Sequence, residues 1–514
     1  MSTLLAALQR TATEHAERLA VVETGRRWTY RQLAAHAYAV AEALVEAGSR
    51  AGDHVLLSMH PDGAGIAAMW GCWLAGTSFV PINARAPQAR NQQIADLTGA
   101  QQIISDREVK LTGLCRVRMA EPRWTRPGEL SSPTKADTSR VGQPGYVIFT
   151  SGSTGTPKGV VVDGGALLAH CAALIDFERL SPETVSCQFH ELSFDAAQQY
   201  LWSGLLAGAC QVAKPIGTLP PARLVDFLRE WQVSSAHVAA RYLVIMAGAG
   251  VLDREPPDTL RTVTFGGEPL PIEVVRQFQR SRWREIELIN YYGPTEGVIA
   301  VTGYRLPMHW DPVPEARSVP VGEALGGRRV EVWPVAGQRG QSDQPASSLA
   351  ESTEPVVGEL VVLGQPRAVG YLGIHGDDRF SGSGQDAVLR TGDLAVYRPG
   401  QGYEILGRLD DQVKVSGYRI DLGEVECVLR EAPGVADLAV VALRTDFDTA
   451  LGACLVPQAG VDAEQVLAEV RRRADALLPY QRPARYLLAD NLPLTGNGKA
   501  DRARLVAELA AGGR

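Results

Sequence analysis

Short apolar runs alternate with stretches of helical periodicity along much of this 514-residue chain. Leu33, Ala37, Val40, Ala41 and Leu44 recur at helical spacing, whereas Val55-Leu56-Leu57 and Gln102-Ile103-Ile104 are brief apolar runs. Such alternation predicts an α/β fold, with parallel strands covered by helices. The last hundred residues change character. Residues 413–420 read as a strand, 422–429 as a helix, 438–443 as a strand and 462–478 as a helix. The expected architecture is a large N-terminal domain (residues 1–409) of parallel-type sheets with flanking helices, plus a small, mobile α+β C-terminal domain (residues 410–514).

Composition excludes several classes of function. With 51 Lys+Arg against 58 Asp+Glu, the formal charge is −7, without the basic stripe of a nucleic-acid binder. Seven scattered cysteines, an odd number with no CxxC pair, argue against a disulfide framework or a zinc site. The N-terminus reads as an amphipathic helix interrupted by Arg10, Glu14 and Glu17. It lacks the features of a signal peptide, so a cytoplasmic location is expected. Residues 64–82 carry no charge and are long enough to span a bilayer. The preferred reading is a buried helix ending near Leu74-Ala75-Gly76, then a strand at Ser78-Phe79-Val80. Residues 121–144 and 338–355 read as loops. Arg471-Arg472-Arg473 reads as a solvated helix face.

The run Tyr146-Val-Ile-Phe-Thr150 opens directly into Ser151-Gly152-Ser153-Thr154-Gly155-Thr156-Pro157-Lys158-Gly159. Glycine frees backbone amides to cradle phosphate oxygens, hydroxyls add donors and lysine adds charge. A P-loop would need Gly-Lys-Ser/Thr after four spacer residues. Here Lys158 stands between Pro157 and Gly159, so that motif is rejected. An oxidoreductase is disfavoured too, because no GxGxxG follows a strand.

The full string TSGSTGTPKGV resembles the signature loop of the adenylate-forming superfamily: acyl-CoA synthetases, luciferases and the adenylation domains of nonribosomal peptide synthetases. Further matches follow in order over nearly the whole chain. They are Trp28-Thr-Tyr-Arg-Gln-Leu33, the segment Leu74 to Ile82, Asn290-Tyr-Tyr-Gly-Pro-Thr-Glu296, Arg390-Thr-Gly-Asp393, Gly407-Arg-Leu-Asp-Asp-Gln-Val-Lys414, Gly417 to Glu424, and Leu492-Pro-Leu-Thr-Gly-Asn-Gly-Lys499.

The resemblance implies attack of a carboxylate on the α-phosphate of ATP, giving an acyl-adenylate and pyrophosphate. Two anions must meet, so catalysis rests on positioning and charge neutralisation. It also implies roles. Thr150, Ser151, Gly152, Ser153, Thr154, Gly155 and Lys158 hold the departing phosphates. Glu296 binds Mg²⁺ and Thr295 the α-phosphate. Asp393 takes the ribose hydroxyls, assisted by Arg408. Gly266, Gly267, Glu268 and Tyr292 form the adenine site. Lys499 reaches the carboxylate and the charge developing on phosphorus, and Asp410 is the hinge. Taken singly, Glu296 reads equally as a helix cap, Asp393 and Asp410 as turn residues and Lys499 as a surface lysine.

Phe194-Asp195-Ala196-Ala197 resembles the motif whose Asp pairs with a substrate ammonium in peptide synthetase domains. Breaking a buried ion pair costs roughly 3–5 kcal/mol, so an amine-free acid would leave Asp195 poorly compensated. The alternative is an Asp capping a helix over residues 196–206. The resemblance aligns a pocket of Asp195, Ala196, Gln199, His237, Val263, Phe265, Tyr291, Ile299 and Ala300, closed by Lys499. His237 reads equally as a satisfied core histidine. Bulky Phe265 and Tyr291 shorten the pocket. The expected substrate is a small amino acid, polar or proline-like, facing Gln199 and His237.

The chain stops fifteen residues after Lys499, with no carrier or condensation domain. The expectation is a free-standing enzyme of natural-product or antibiotic biosynthesis. It would load the phosphopantetheine thiol of a separate carrier protein, with room for a small MbtH-like helper and no membrane or nucleic-acid partner. The alternatives are an acyl-CoA or aryl-CoA ligase of the same superfamily, distinguished by Asp195, and a non-catalytic nucleotide binder, disfavoured by Lys499 and Glu296.

Overall fold

The computed structural model describes residues 3–119, 144–150, 157–188, 190–213, 219–313, 316, 318–335, 354–374, 376–409, 412–415, 418–444, 449–458, 460–493 and 500–512. The chain divides into two compact units. One comprises Met1–Ala84, Asn91–Ile148 and Gly159–Gly407; the other Arg85–Arg90, Phe149–Lys158 and Arg408–Arg514. The loops expected at 121–144 and 338–355 lie almost wholly outside the described residues.

Among the described residues, the first unit is built on two large sheets. The seven-stranded sheet runs Gly370–Tyr371, Lys158–Val162, Tyr146–Thr150, Ser78–Pro81, His54–Ser58, Gln102–Ser105, Cys115–Val117. From Tyr146–Thr150 to Cys115–Val117 the pairing is parallel. The nine-stranded sheet runs Glu323–Ala324, Thr302–Arg305, Glu287–Tyr292, Thr262–Gly266, Ser235–Ala239, Val185–Gln188, Cys210–Val212, Leu19–Glu23, Arg26–Thr29. Its centre is parallel. Parallel strands need crossovers, which the helices between them supply. The fold is thus the α/β class expected. A five-stranded sheet with antiparallel Arg329–Trp333, Val356–Leu363 and Val388–Arg398 was not expected. Its strands alternate between partners without helical crossovers, so the helical signal that marks an α/β unit is missing there.

Local chemistry sets several boundaries. Helix Gly63–Leu74 is capped by the Asp62 side chain, which accepts from the Gly65 amide. It buries ten of its twelve residues and ends at Ala75, followed by Gly76 at φ +77° and strand Ser78–Pro81. The uncharged stretch is therefore a core helix and strand. Among the described residues, no helix is long and apolar enough to cross a membrane. In the Trp28 to Leu33 motif, Thr29 caps helix Tyr30–Glu46 in a reciprocal box with Gln32. Tyr30 donates its buried hydroxyl to the carbonyls of Leu205 and Ala209 (3.1 and 2.7 Å).

The second unit is α+β with its own core, including Ile420, Val425, Leu438, Leu455 and Val470. Strands Val435–Arg444, Thr449–Pro457 and Arg485–Leu488 form one sheet, with helices Leu422–Arg430, Ala463–Ala474 and Arg502–Gly512. The single strand expected at 413–420 is instead a hairpin of Gln412–Val415 and Tyr418–Asp421, with Val415 opposite Tyr418. The helix expected to reach 478 ends at Ala474. Leu477 and Leu478 remain buried beyond it, which prolonged the apolar pattern past the helix. Arg472 and Arg473 pair with Glu469 and Glu431, as a solvated face does.

Candidate active site

Most candidate residues of the first unit lie on, or in the segments just after, four parallel strands: Val185–Gln188, Ser235–Ala239, Thr262–Gly266 and Glu287–Tyr292. In open α/β sheets, ligands bind at the carboxyl ends of such strands. Gly266 closes its strand against the neighbouring one. A Cβ there would meet the Tyr291 carbonyl at 2.5 Å. Gly267 follows at φ +85°, so the turn carrying Glu268 needs both glycines.

Tyr291 and Tyr292 are consecutive on one strand and so point to opposite faces. Tyr292 donates its hydroxyl to Asp393 Oδ2 at 2.5 Å. Asp393 is 3% exposed, and its amide donates to Thr391 Oγ1 at 3.0 Å. The candidate adenine and ribose residues thus meet across 101 positions of sequence. Glu296 lies in the short turn Thr295–Gly297 and is 1% exposed. Its Oε1 accepts from the Tyr371 hydroxyl at 2.5 Å, with Arg379 Nη1 at 3.5 Å. A buried carboxylate requires such partners. Buried Arg328 donates to the carbonyls of Gly297, Leu325 and Pro366, which ties this turn down. Beyond it, Val298 and Ile299 adopt φ of +62° and +69°, a region that β-branched residues rarely enter and that marks stored strain.

A magnesium ion fits Glu296 in one way. Mg²⁺ in nucleotide sites takes one or two carboxylates and completes its shell with phosphate oxygens and water. Among the described residues, the only group of three potential ligands is His60, Asp62 and Asp106, which does not include Glu296. The donor set around Glu296 therefore suits an ion carried largely by the nucleotide.

On the other face, helix Asp195–Leu206 presents the candidate amine anchor. The cap position belongs to Phe194, and Asp195 is the first helical residue. Ala196 packs with Leu174, Tyr200, Ile289, Tyr291 and Ala300. The structure thus brings three candidate pocket residues, Ala196, Tyr291 and Ala300, into one packed group. Gln199 is 1% exposed, and its Oε1 lies 3.1 Å from His170 Nε2. His237 is equally buried. Its ring nitrogens bond the hydroxyls of Ser186 (2.9 Å) and Thr264 (2.7 Å), and its ring stacks on Tyr200 at 3.8 Å. His237 is a satisfied core histidine. Burial holds it at about 3 and His170 at about 3, where Arg328 adds to the effect, so both are neutral at pH 7.

Val263 and Phe265 are not brought to this group. Their strand register pairs His237 with Thr264 and Gly266 with Tyr291. Val263 and Phe265, the alternate residues, turn to the opposite face and pack with Val238, Leu270 and Val274. One residue along a strand reverses the face. Ile299 packs in a third group with Val298.

Thr150, Lys158 and Arg408 belong to the second unit. The Thr150 hydroxyl donates to the Lys158 carbonyl at 3.4 Å, and Arg408 donates to Gln412 Oε1 at 3.1 Å. Ser151, Gly152, Ser153, Thr154, Gly155, Asp410 and Lys499 lie outside the described residues. Sequence reasoning did not pick out Glu178, His170, Thr264 or Arg379. For Glu178 and His170 the available signal was a titratable residue on the buried stripe of an otherwise apolar helix.

The AMP-binding enzyme family model matches residues 8–372, and that of the AMP-binding enzyme C-terminal domain matches residues 424–499. Surfactin synthase subunit 1 of Bacillus subtilis is 30% identical over 514 residues, 97% of this chain and 13% of that protein. The chain spans 6 to 18% of the lengths of the large peptide synthases it resembles. L-proline--[L-prolyl-carrier protein] ligase of Pseudomonas fluorescens is 29% identical over 99% of this chain and 100% of its own. The solved structure of holo-PA1221, an NRPS protein containing adenylation and PCP domains bound to a vinylsulfonamide inhibitor, superposes with a TM-score of 0.81. It is 26% identical and covers 98% of this chain and 84% of its own. The chain belongs to the AMP-binding enzyme family, as an adenylate-forming ligase of the nonribosomal peptide adenylation and acyl-CoA ligase type.

Proposed function

We propose that this ligase activates a small amino acid, proline or one of similar size, with ATP to give aminoacyl-AMP and pyrophosphate. It then passes the acyl group to the phosphopantetheine thiol of a carrier protein. The observation that carries this reading is the setting of Asp195. It opens its helix without holding the cap position, so the helix-cap alternative loses its main support. Its neighbour Ala196 packs against Tyr291 and Ala300, which leaves little room for a long side chain. A relative of matching length is a prolyl-carrier protein ligase, and PA1221 joins an adenylation domain to a PCP domain.

In this reading Asp195 pairs with the substrate ammonium and orients its carboxylate toward the α-phosphate of ATP. The Tyr292–Asp393 pair holds the nucleoside, with Asp393 accepting from the ribose hydroxyls. The signature loop from Thr150 to Lys158 neutralises the leaving pyrophosphate. Glu296 is the protein ligand for Mg²⁺, which supplies charge to the phosphates when bound. Lys499 approaches carboxylate and phosphorus as a flexible point charge. Gly267, Glu268 and Thr295 complete the nucleotide contacts, Arg408 assists at the ribose and Asp410 is the hinge between the half-reactions.

Pyrophosphate exchange across proline, small amino acids and their deaminated counterparts tests the reading. Exchange confined to small amino acids is expected. Asp195→Ala should lower kcat/KM for the amino acid about 10²-fold or more, consistent with a lost buried ion pair. Exchange supported only by amine-free acids would move the enzyme to the acyl-CoA or aryl-CoA branch.

A further inference from the structure

Helix Gly164–Glu178 contributes none of the aligned pocket residues, yet it touches two of them. Its buried stripe runs through Leu167, His170, Cys171, Leu174 and Glu178. Two members of that stripe, His170 and Glu178, are strongly polar. A leucine at either place would bury more cheaply, because an unpaired polar group in the core is costly. His170 contacts the Gln199 carboxamide. Two turns later, Glu178 Oε1 accepts the Tyr291 hydroxyl at 2.9 Å.

The Glu178 contact is the more telling. Glu178 is 8% exposed and Tyr291 4%. Among the described residues, Glu178 Oε2 and His170 Nδ1 have no hydrogen-bond partner. The cation nearby, Arg305, attracts Glu178 through space but forms no ion pair or hydrogen bond with it. Arg305 bonds Glu287 and the Phe177 carbonyl instead, and its guanidinium lies over the Phe177 ring. Tyr291 is therefore the one hydrogen-bond partner of this carboxyl among the described residues. The Tyr291 ring sits in a group with Leu174, Tyr200, Ile289, Ala300 and Leu325, with Phe177 6.0 Å away between centroids. These contacts are apolar and set no direction for the hydroxyl; the hydrogen bond to Glu178 fixes the far end of the ring at one point.

We propose that Glu178 is a positioning residue that sets substrate selectivity: it locks Tyr291 across the substrate pocket and so limits the size of the side chain admitted. This rests on the amino-acid pocket proposed above, and names what closes its far end. Glu178 never meets the substrate. It acts through the Tyr291 hydroxyl, whose ring packs with Ala196 and Ala300.

The test is pyrophosphate exchange with a size series of substrates, read as the ratio of kcat/KM for a larger member to that for the smallest. Glu178→Leu removes the acceptor, and the ratio is expected to rise at least tenfold while the KM for ATP stays within twofold. Glu178→Gln keeps a carbonyl acceptor and should hold the ratio within threefold of the parent. Tyr291→Phe removes the donor and should reproduce the shift of Glu178→Leu. The double variant Tyr291→Phe/Glu178→Leu should add nothing further. Tyr291→Phe also serves where Glu178→Leu fails to fold. A ratio unchanged in Glu178→Leu and Tyr291→Phe, with all substrates falling together, would make the contact purely structural and overturn the proposal. Should the parent enzyme exchange only with amine-free acids, the function reading falls, while a size series of those acids still decides the role of Glu178.

Discussion

Tyr291 and Tyr292 sit side by side on one strand, and each gives its hydroxyl to a buried carboxylate. The surroundings differ. Asp393, the partner of Tyr292, also takes part in a backbone bond through Thr391, and Glu296 on the following turn has Tyr371 and Arg379. The Glu296 carboxylate accepts from two donors, and the Asp393 carboxylate from Tyr292. The substrate face holds Glu178 with one oxygen unmatched, and burial pushes its carboxyl up to about 7. His170 and His237, which contact Gln199 and Tyr200, are neutral. In the proposed function the Glu296 and Asp393 carboxylates form the nucleotide face, which meets the charge always present on ATP. The substrate face keeps its interior neutral and spends its polarity on holding shapes.

Acid should separate these faces most strongly. His170 and His237 have folded values near 3 against an ordinary 6.5. The unfolded chain therefore binds more protons below pH 6.5, and stability falls as pH drops from 6.5 toward 3. At pH 5 each withholds about 2 kcal/mol. Glu178 has the opposite sign. Its folded value near 7 exceeds the ordinary 4.5, so the folded state binds the extra proton and gains stability as pH falls from 7 to 4.5. The two histidines outweigh the one carboxyl. Melting temperature against pH should decline below about pH 6. In Glu178→Gln, which lacks the counterweight, the decline from pH 6.5 to 4.5 should be steeper. Parallel curves for the two proteins would show that the Glu178 carboxyl does not titrate in this range.

The next effect divides the two tyrosines. Asp393→Ala should cost about 10²-fold in kcat/KM for ATP, the scale of losing one well-placed polar partner. Tyr292→Phe should raise the ATP KM and leave the preference among amino acids unchanged. Tyr291→Phe should do the reverse. If Tyr292→Phe altered amino-acid preference instead, the two faces would be coupled through their shared strand, and the division drawn here would be too sharp.

The residues proposed for the nucleotide face were legible as candidates because they lie in contiguous strings. Tyr292 and Glu296 occur in one run of seven residues, and Arg390 to Asp393 in another. Their local order carries the backbone turn, as Gly293 and the Thr295–Gly297 turn show. The substrate face was harder. A strand offers two faces, and a single step of register decides which residue looks into the site. Val263 and Phe265 alternate with Thr264, the residue that bonds His237. Nothing local marks Glu178, whose partner is 113 positions away. The end of helix Gly63–Leu74 was readable because Gly76 follows it at φ +77°. The end of helix Ala463–Ala474 was not, because its apolar pattern outlasts its hydrogen bonds.

The smallest effect tests whether the substrate face leans on the rest of its unit. Thr29 and Gln32 cap helix Tyr30–Glu46, and Tyr30 grips the carbonyls of Leu205 and Ala209. Those carbonyls lie at and just beyond the end of the helix that Asp195 begins. Thr29→Ala should cost about 1 kcal/mol, the usual loss for an N-cap hydroxyl, and lower the melting temperature by a few degrees. Tyr30 has further anchorage in the core, so both KM values should stay within twofold. A rise in the amino-acid KM alone would mean that the first helices prop Asp195 in place. The substrate face would then depend on packing at the far end of its helix, a dependence that the strand-end nucleotide face does not share.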